Sequence, residues 1–243
     1  MKAIILCAGY ATRLYPLTLN KPKALLPINN IPIISHIVKK IEEIKEIDEI
    51  YVVTNSKFYK SFVEWKNSLK TNKKIIIVND KTKSNEDRLG GIGDLWFTIQ
   101  KEKINDDILL LLGDNLFDFN IKEFVEYYEK KNNTTIGAYK INNFSDKQKF
   151  GIVSVNNGNK VIPIEDKYPT KNSNTISIGI YLLSKNDIDR IKEYMKTEKP
   201  KEGPGFLIID WAKTKDIYSY NFEGKWFDIG SKESYEKIKD NWN

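Results

Sequence analysis

The sequence predicts an α/β fold in which helices cover both faces of a mostly parallel β-sheet. In the first half of the chain, short apolar runs alternate with segments of helical periodicity. The short runs are apolar at successive positions, as expected of strands that are buried on both faces. Ligands bind such sheets at the carboxyl ends of the strands, so we expect the functional site in the loops after Cys7 and Leu112.

The elements of the first half follow from the spacing of apolar residues. In the first predicted helix these residues recur every three or four positions from Ile33 to Ile44. The predicted strands are Ala3–Cys7, Glu49–Thr54, Lys74–Val78 and Ile108–Leu112, and the predicted helices are Pro32–Ile47, Lys57–Leu69 and Gly91–Lys103. We assign this half, about residues 1–115, to nucleotide binding.

The second half, about residues 116–243, is richer in strands, and we assign it to binding of a phosphorylated acceptor. Its predicted strands are Thr134–Lys140, Ile152–Val155, Val161–Glu165, Ile176–Leu183 and Ile217–Phe222. Its predicted helices are Lys185–Met195, Phe206–Lys213 and Lys232–Trp242. No internal repeat or low-complexity linker separates the halves, so we expect a single domain over residues 1–243.

Composition narrows the class of protein. The chain is 40% hydrophobic and 30% charged, which is ordinary for a soluble globular protein. No apolar stretch approaches the ~20 residues that span a bilayer, so we expect no membrane partner. A single cysteine, Cys7, allows no internal disulfide and fits a cytoplasmic protein. We expect this cysteine to pack in the core.

The net charge of +6 raises the alternative of a basic, nucleic-acid-associated protein. The lysines, however, are mixed with glutamates along helices, as in residues 39–45, which is typical of a solvated helical face. We therefore expect no nucleic-acid partner and a mild positive field that suits phosphate substrates. Retention on a polyanion column at high salt would support the alternative.

The first predicted strand ends in a loop of small residues that contains Ala8, Gly9 and Ala11. Small residues allow backbone N–H groups to approach an anion closely. Arg13 follows in the same loop, and Lys23 stands ten residues later between two prolines. This combination predicts a phosphate-binding loop.

The same segment resembles the N-terminal motif of sugar-1-phosphate nucleotidyltransferases, G-x-G-x-R-L-x-P-L-T-x-x-x-P-K-x-L-L-P. The matching residues are Gly9, Arg13, Leu14, Pro16, Leu17, Thr18, Pro22, Lys23, Leu25, Leu26 and Pro27. Ala11 replaces the second glycine, and we expect no strained positive φ there unless the loop has adjusted, because alanine avoids that region. The resemblance implies a Rossmann-like nucleotide-sugar transferase fold with a mixed, mostly parallel central sheet.

Two aspartates match further motifs of that family. Asp114 follows a strongly apolar strand, where a carboxylate needs a cation partner or serves as a turn or helix cap. The resemblance of Gly113-Asp114-Asn115 implies that Asp114 is a catalytic ligand of Mg²⁺. Trp226-Phe227-Asp228-Ile229-Gly230 resembles the W-x-D-x-G element, which implies that Asp228 is the second metal ligand. A helix-capping role for Asp228 is the alternative, although Ser231 is better placed for it.

A glycine-rich stretch provides the predicted contacts to the nucleotide. Leu89–Leu95 resembles the family's L-G-T-A-G-A-L, in which Gly90 would contact the base and the helix start would lie near phosphate. An ordinary loop-to-helix turn is the alternative, and Asp94 departs from the pattern. The full set of predicted nucleotide-binding residues is Ala8, Gly9, Thr12, Asn79 and Gly90.

The resemblance also implies an acceptor site. The predicted sugar-phosphate-binding residues are Phe150, Gly151, Asp166, Lys167, Gly179, Tyr181 and Trp226. Lys167 would bind the acceptor phosphate, although a solvent-facing lysine is an equal alternative. Asp166 is one methylene shorter than the usual glutamate, and Ile178 replaces a threonine. These departures leave the identity of the sugar open.

The implied reaction condenses a nucleoside triphosphate with a sugar 1-phosphate and releases pyrophosphate, as in nucleotide-sugar and polysaccharide biosynthesis. Arg13 would stabilise the leaving pyrophosphate, and Lys23 would pair with the α-phosphate and the incoming phosphate. No serine, cysteine or histidine triad can be assembled, and the only histidine, His36, lies on a helix, which suits direct displacement at phosphorus.

The resemblance favours dTTP and glucose 1-phosphate as substrates. Uridylyl, cytidylyl or guanylyl transfer, and a non-sugar phosphate acceptor, remain alternatives within the enzyme class. A non-catalytic nucleotide-sugar-binding regulatory protein is an alternative outside it, although such a protein would be expected to have lost Arg13, Lys23 or an aspartate. The sequence is compatible with a monomer or a homo-oligomer.

Overall fold

The computed structural model describes residues 1–141, 151–163 and 174–242. Its strands are β1 (Lys2–Leu6), β2 (Pro27–Ile28), β3 (Ile31–Pro32), β4 (Glu49–Thr54), β5 (Lys74–Asn79), β6 (Ile108–Leu112), β7 (Asn115–Phe117), β8 (Thr135–Lys140), β9 (Thr175–Leu183), β10 (Tyr218–Asn221) and β11 (Trp226–Asp228). Its helices are α1 (Ile33–Glu42), α2 (Tyr59–Ser68), α3 (Gly90–Glu102), α4 (Lys122–Lys131), α5 (Ile188–Met195), α6 (Gly205–Trp211) and α7 (Lys232–Ile238).

Seven strands form one mixed sheet in the order β10-β8-β9-β6-β1-β4-β5. β1 lies between β4 and β6 and runs parallel to both. β9 is antiparallel to its neighbours β6 and β8, and β10 is parallel to β8. The predicted mixed, mostly parallel sheet is therefore confirmed, and it contains strands from both halves of the sequence.

Alternate residues of β1 point to opposite faces of the sheet and join different cores. Ala3 and Ile5 pack with α1, α2 and α4 in one cluster. Ile4 and Leu6 pack with α3, α5 and α6 in another. Each fully buried Ile or Leu contributes roughly 1.5–3 kcal/mol, so burial on both faces explains why these strands are apolar throughout.

A third core joins the N-terminal loop to the C-terminal helix. Its members are Leu14, Leu26, Ile28, Ile33, Leu116, Ile229, Tyr235 and Ile238. The hydroxyl of Tyr235 in α7 donates to the carbonyl oxygen of Pro27 at 2.9 Å, which adds a directional bond to this packing. Helix α7 therefore packs against the loop that follows β1.

Several predicted boundaries were wrong. The first helix was predicted to reach Ile47 but ends at Glu42, because Ile44 and Ile47 are buried in turns rather than in a longer helix. The last helix ends at Ile238 rather than Trp242. Two predicted strands, Ile152–Val155 and Val161–Glu165, form only isolated bridges in their described part.

Helix α4 was not predicted, because its apolar stripe is narrow and most of its residues are charged or tyrosine. The strands at Glu49–Thr54 and Ile108–Leu112 were predicted at their observed bounds. In the described ranges, no helix is long and apolar enough to cross a membrane.

Candidate active site

A cleft of about 570 Å³ opens at the carboxyl end of the parallel strands. Its walls come from the loop after β1, from Lys23, from the segment after β5, from the first turn of α3 and from the end of β6. Glu202 closes one side. The two loops that the sequence analysis selected, those after Cys7 and Leu112, therefore meet in this cleft.

Hydrogen bonds from other elements hold the loop after β1 in place. Asn55 is fully buried and donates from Nδ2 to the carbonyl oxygen of Ala8 at 2.8 Å. The hydroxyl of Tyr10 lies 3.3 Å from Oγ1 of Thr82, beyond β5. Gly9 is exposed, and a side chain added there would meet no atom within 4 Å. The loop is fixed at its sides and open toward the cleft, as anion binding by backbone N–H groups requires.

Ala11 has φ +48° and ψ +43°, so the expectation that it avoids a positive φ was wrong. The left-handed region costs a non-glycine residue roughly 1–2 kcal/mol. Two hydrogen bonds offset that cost, because the Ala11 carbonyl oxygen accepts from Leu14 N at 3.0 Å and from Thr18 Oγ1 at 2.8 Å. The loop thus keeps a glycine-like conformation with alanine in its place.

Two of the predicted catalytic residues form an ion pair. Nζ of Lys23 lies 2.6 Å from Oδ2 of Asp114, and both side chains are largely withdrawn from solvent. Within the described ranges, the other carboxylate oxygen, Oδ1 of Asp114, is buried and has no hydrogen-bond partner. Arg13 is exposed and lines the same cleft. Positive charge and an unsatisfied carboxylate oxygen therefore occupy the end of the cleft next to β6.

The short antiparallel pair β7–β11 brings Asp228 to Asp114. Asp228 is in register with Asn115, and Ile229 N donates to the carbonyl oxygen of Asp114 at 3.2 Å. The indole Nε1 of Trp226 donates to Oδ1 of Asn115 at 3.0 Å. This pair of strands therefore brings Asp114 and Asp228, which are more than a hundred residues apart in sequence, to neighbouring positions.

The donor set fits a magnesium ion. Carboxylate oxygens are the ligands that Mg²⁺ prefers, and it commonly takes one or two of them and fills its other positions with water and phosphate oxygens. The unsatisfied Oδ1 of Asp114 is a suitable ligand atom. In the described part of the chain, no group of three or more His, Cys, Asp or Glu side chains could hold a metal by itself. Ser231, not Asp228, caps α7 through a capping box with Ser234.

Gly113 is required by packing against β1. A methyl group at Gly113 would lie 2.3 Å from Sγ of Cys7 and 3.0 Å from the carbonyl oxygen of Leu6. Burial raises the pKa of the Cys7 thiol, and the charge of Asp114 raises it further. The thiol is therefore neutral and serves as a core residue, as predicted.

The model of the nucleotidyl transferase family matches residues 2–243 of this sequence. The chain belongs to the nucleotidyl transferase family. The family match and the mixed sheet agree with the fold that the resemblance to sugar-1-phosphate nucleotidyltransferases implied.

Relatives of this nucleotidyltransferase carry several substrate names. It is 29% identical to the bifunctional protein GlmU of Methanocaldococcus jannaschii over 95% of this chain and 51% of that protein. It is 30% identical to a Sulfolobus acidocaldarius protein provisionally named mannose-1-phosphate guanyltransferase, over 98% of this chain and 62% of that protein. The chain thus spans about half to three-fifths of the length of these relatives.

A solved structure from Bacillus anthracis, provisionally named glucose-1-phosphate thymidylyltransferase and in complex with a sucrose, superposes with a TM-score of 0.80. The two sequences are 26% identical, and the alignment covers 100% of this chain and 96% of that one. The similarity extends over the whole nucleotidyltransferase fold.

The start of α3 is bound by the segment that precedes α6. Gly91 N donates to the carbonyl oxygen of Glu202 and Ile92 N to that of Lys201, both at 3.0 Å. A methyl group at Gly90, which has φ +76°, would lie 2.5 Å from the Lys201 carbonyl oxygen. The N–H groups of Gly91 and Ile92 are therefore occupied by residues 201 and 202. Gly90 and Gly91 line the cleft, and the position of this helix start near phosphate stays a prediction.

Asn79 does not line the cleft of the nucleotidyltransferase. Its Oδ1 accepts from Ser56 Oγ at 3.1 Å and from Lys81 N at 2.8 Å, so the side chain stabilises the turn after β5. The next residue, Asp80, lines the cleft instead. Of the predicted nucleotide-binding residues, Ala8, Gly9, Thr12 and Gly90 line the cleft.

The predicted acceptor residues are only partly described. Phe150, Asp166 and Lys167 lie outside the described residues. Gly151 is exposed, and its carbonyl oxygen accepts from Ser177 N at 2.8 Å. Tyr181 is buried in the core beneath the sheet, with its hydroxyl 3.3 Å from Oγ of Ser177. The sugar-binding roles of these residues stay predictions.

Gly179 adjoins the cleft end of the sheet. It has φ +73°, and a methyl group there would lie 2.6 Å from Cδ1 of Leu112 and 2.9 Å from Nδ2 of Asn115. Close packing against the Gly113-Asp114-Asn115 segment therefore accounts for this glycine.

Several residues that line the cleft were not predicted as site residues, and those with a charged or amide side chain are Asp80, Asn85, Arg88, Asp94 and Glu202. Asp80 and Asp94 are only 4% and 6% exposed. Burial, together with the neighbouring Asp80 carboxylate, raises the pKa of Asp94 to about 8. The signal that could have found the pair was Asp94 itself, a carboxylate where the matched motif has alanine.

Proposed function

We propose that this protein transfers a nucleotidyl group from a nucleoside triphosphate to a sugar 1-phosphate and releases pyrophosphate. The observation that carries the proposal is that Arg13, Lys23 and Asp114 line one cleft, in which Lys23 and Asp114 form an ion pair. These residues supply two cations for phosphate and a carboxylate with one unsatisfied oxygen, and none of the three is a serine, threonine or cysteine nucleophile. Phosphoryl transfer by direct displacement needs positioning and charge neutralisation, which these groups provide.

In the proposed reaction, a phosphate oxygen of the sugar 1-phosphate attacks the α-phosphorus in line. The new P–O bond forms as the bond to the bridging oxygen of the β-phosphate breaks, and pyrophosphate leaves with the electron pair. Arg13 stabilises the charge that develops on pyrophosphate. Lys23 turns from Asp114 to the α-phosphate and reduces the repulsion between the two anionic substrates.

Asp114 and Asp228 are the residues that would hold Mg²⁺. The ion would neutralise phosphate charge in the cleft. The unsatisfied Oδ1 of Asp114 and the register of Asp228 with Asn115 support this assignment. We also propose a cytoplasmic location, which the single buried cysteine and the phosphorylated substrates favour.

The resemblance favours dTTP and glucose 1-phosphate, with Lys167 on the acceptor phosphate and Phe150, Gly151, Asp166 and Tyr181 around the sugar. Uridylyl, cytidylyl and guanylyl transfer are the alternatives, and the relatives' names include guanylyl and thymidylyl transfer. The substrate pair therefore has to be identified with a panel of NTPs and several sugar 1-phosphates.

The test incubates the protein with Mg²⁺ and each substrate pair and measures pyrophosphate. We expect release with at least one pair, and release with none would refute the proposed reaction. Arg13→Ala should lower turnover by about 100-fold or more. Arg190→Ala is the matched control, because Arg190 lies on α5 and its guanidinium contacts Thr214 rather than the cleft. Equal turnover of the two variants would contradict the role of Arg13.

A further inference from the structure

Asp80 and Asp94 form a buried pair of carboxyl groups in the wall of the cleft. Asp80 follows β5, and Asp94 lies in the second turn of α3. β5 and β6 are three strand spacings apart in the sheet, so the strand end that carries Asp80 lies on the order of 14 Å from the one that carries Asp114. Asp94 lies between them, on the helix that packs over β1 and β4. The known motifs of the cleft leave this pair without a role.

The hydrogen bonds of the pair define which atom lacks a partner. Oδ1 of Asp80 accepts from Thr82 N at 2.8 Å and from Thr82 Oγ1 at 2.9 Å. Asp94 donates the shared proton to Asp80, which raises the pKa of Asp94. Within the described ranges, Oδ1 of Asp94 has no hydrogen-bond partner. A buried acceptor in that state costs roughly 1–3 kcal/mol unless a donor reaches it.

The charge of the pair determines what can lie against it. With one shared proton, the two carboxyl groups carry a net charge of about −1. That charge repels a triphosphate, whereas Lys23, which pairs with Asp114 after β6, attracts one. The uncharged nucleobase is the part of the nucleotide that fits next to Asp94.

We propose that the Asp80–Asp94 pair selects the nucleobase, with Oδ1 of Asp94 accepting a hydrogen bond from an amino-bearing base, guanine foremost. Guanine presents N1–H and its N2 amino group side by side, both donors. Uracil and thymine present a single N3–H between two carbonyl oxygens, which repel an acceptor-rich wall. A buried acceptor that the wrong base leaves unpaired is an effective means of rejection. The inference rests on the proposed function and names a base different from the one that the sequence resemblance favoured.

The test compares GTP, CTP, ATP, UTP and dTTP with the wild-type protein and two variants. Asp94→Ala removes the acceptor. Asp94→Asn is the matched control, because its amide still donates to Asp80 and its carbonyl oxygen still accepts. We measure kcat/KM by pyrophosphate release and, without any sugar phosphate, the Kd of each NTP by calorimetry in Mg²⁺ buffer.

We expect wild-type protein and Asp94→Asn to prefer GTP over UTP and dTTP, and Asp94→Ala to lose roughly fivefold to tenfold of that preference. A wild-type preference for UTP or dTTP overturns the inference even if Asp94→Ala does not fold. So does an unchanged ratio in a folded Asp94→Ala protein. Tight, GTP-selective binding with no turnover on any acceptor would refute the proposed reaction and support the base selection.

Discussion

The contact between Gly113 and Cys7 allows a quantitative test of how the catalytic strand ends are packed. In Gly113→Ala, the added methyl group would lie 2.3 Å from Sγ of Cys7, 3.0 Å from the carbonyl oxygen of Leu6 and 3.4 Å from Cγ2 of Ile5. The first distance is far below van der Waals contact, so β1 and β6 must move apart at their carboxyl ends. Overpacking of this kind costs typically 1–3 kcal/mol.

The double variant Cys7→Ala/Gly113→Ala isolates the contact. Removing Sγ eliminates the closest clash and leaves the contact with the Leu6 carbonyl oxygen, so we expect part of the lost stability to return. The assay is urea denaturation of the four proteins in a double-mutant cycle. A loss of about 2 kcal/mol also corresponds to a fall in Tm of roughly 4–8 °C for a chain of this size.

Two results would refute this reasoning. Gly113→Ala could be as stable as the wild type within about 0.5 kcal/mol, which would mean that the strand ends are not closely packed. Alternatively, the two substitutions could be additive, with no coupling energy, although their atoms are in contact in the structure. Pyrophosphate release should follow stability, because the displaced Gly113 precedes Asp114.

Four further substitutions test the conclusions on strain, charge and packing. Ala11→Gly should relieve the left-handed strain but also raise the entropy of the unfolded chain, so we expect the free energy of unfolding to change by less than about 1 kcal/mol. Thr18→Val removes the hydrogen bond to the Ala11 carbonyl oxygen and should lower the free energy of unfolding by about 1 kcal/mol. A larger loss of stability for Ala11→Gly than for Thr18→Val in denaturant melts would contradict the hydrogen-bond argument. Because the pKa of Asp94 is raised from 3.8 to about 8 on folding, the folded state binds the extra proton, and the Asp94 contribution to stability falls as pH rises from about 4 to about 8. The wild type should therefore lose at least about 1 kcal/mol of unfolding free energy relative to Asp94→Asn as pH rises from 5 to 8. A parallel pH dependence of the two proteins in denaturant melts would contradict the raised pKa. Gly90→Ala combines a φ of +76° with a 2.5 Å approach to the Lys201 carbonyl oxygen, so we expect it to lose about 2 kcal/mol or more and to weaken NTP binding in calorimetry; wild-type stability would contradict the packing argument.

The sequence predicted the parts of the site that depend on strand ends and contiguous motifs. Arg13, Lys23 and Asp114 line one cleft because parallel strands present their carboxyl ends at the same edge of the sheet. The predicted fold class followed from strands that are apolar on both faces. These features are local in sequence, and the sheet topology brings them together.

The remaining features depend on contacts between distant segments. Nothing near Gly91 in the sequence shows that Lys201 and Glu202 bind the first N–H groups of α3. Likewise, the choice between Asn79 and Asp80 depends on whether a turn side chain faces Ser56 or the cleft. Ala11 keeps a positive φ because Thr18, seven residues later, stabilises its carbonyl oxygen. Such tertiary contacts override local propensity and cannot be predicted from a single sequence.

The glycines of the matched motifs show how packing and function are combined at this site. Gly90, Gly113 and Gly179 each face backbone or side-chain atoms at distances that exclude a methyl group. Gly9 and Gly151, by contrast, face open space. Gly90, Gly113 and Gly179 therefore set the positions of the surrounding segments, and Gly9 leaves the phosphate-binding loop accessible.

Groups of both signs line the cleft, and their charges would favour one orientation of a nucleotide. Lys23 and Asp114 neutralise each other in an ion pair, while the exposed Arg13 and Arg88 also line the cleft. The Asp80–Asp94 pair carries a net negative charge. Because Lys23 can leave Asp114 only when another anion takes its place, arrival of the triphosphate would free a carboxylate oxygen at the moment when phosphate charge needs a metal. Nucleotide and Mg²⁺ should then bind more tightly together than either does separately, and the ion pair of the ligand-free protein is the physical basis of that coupling.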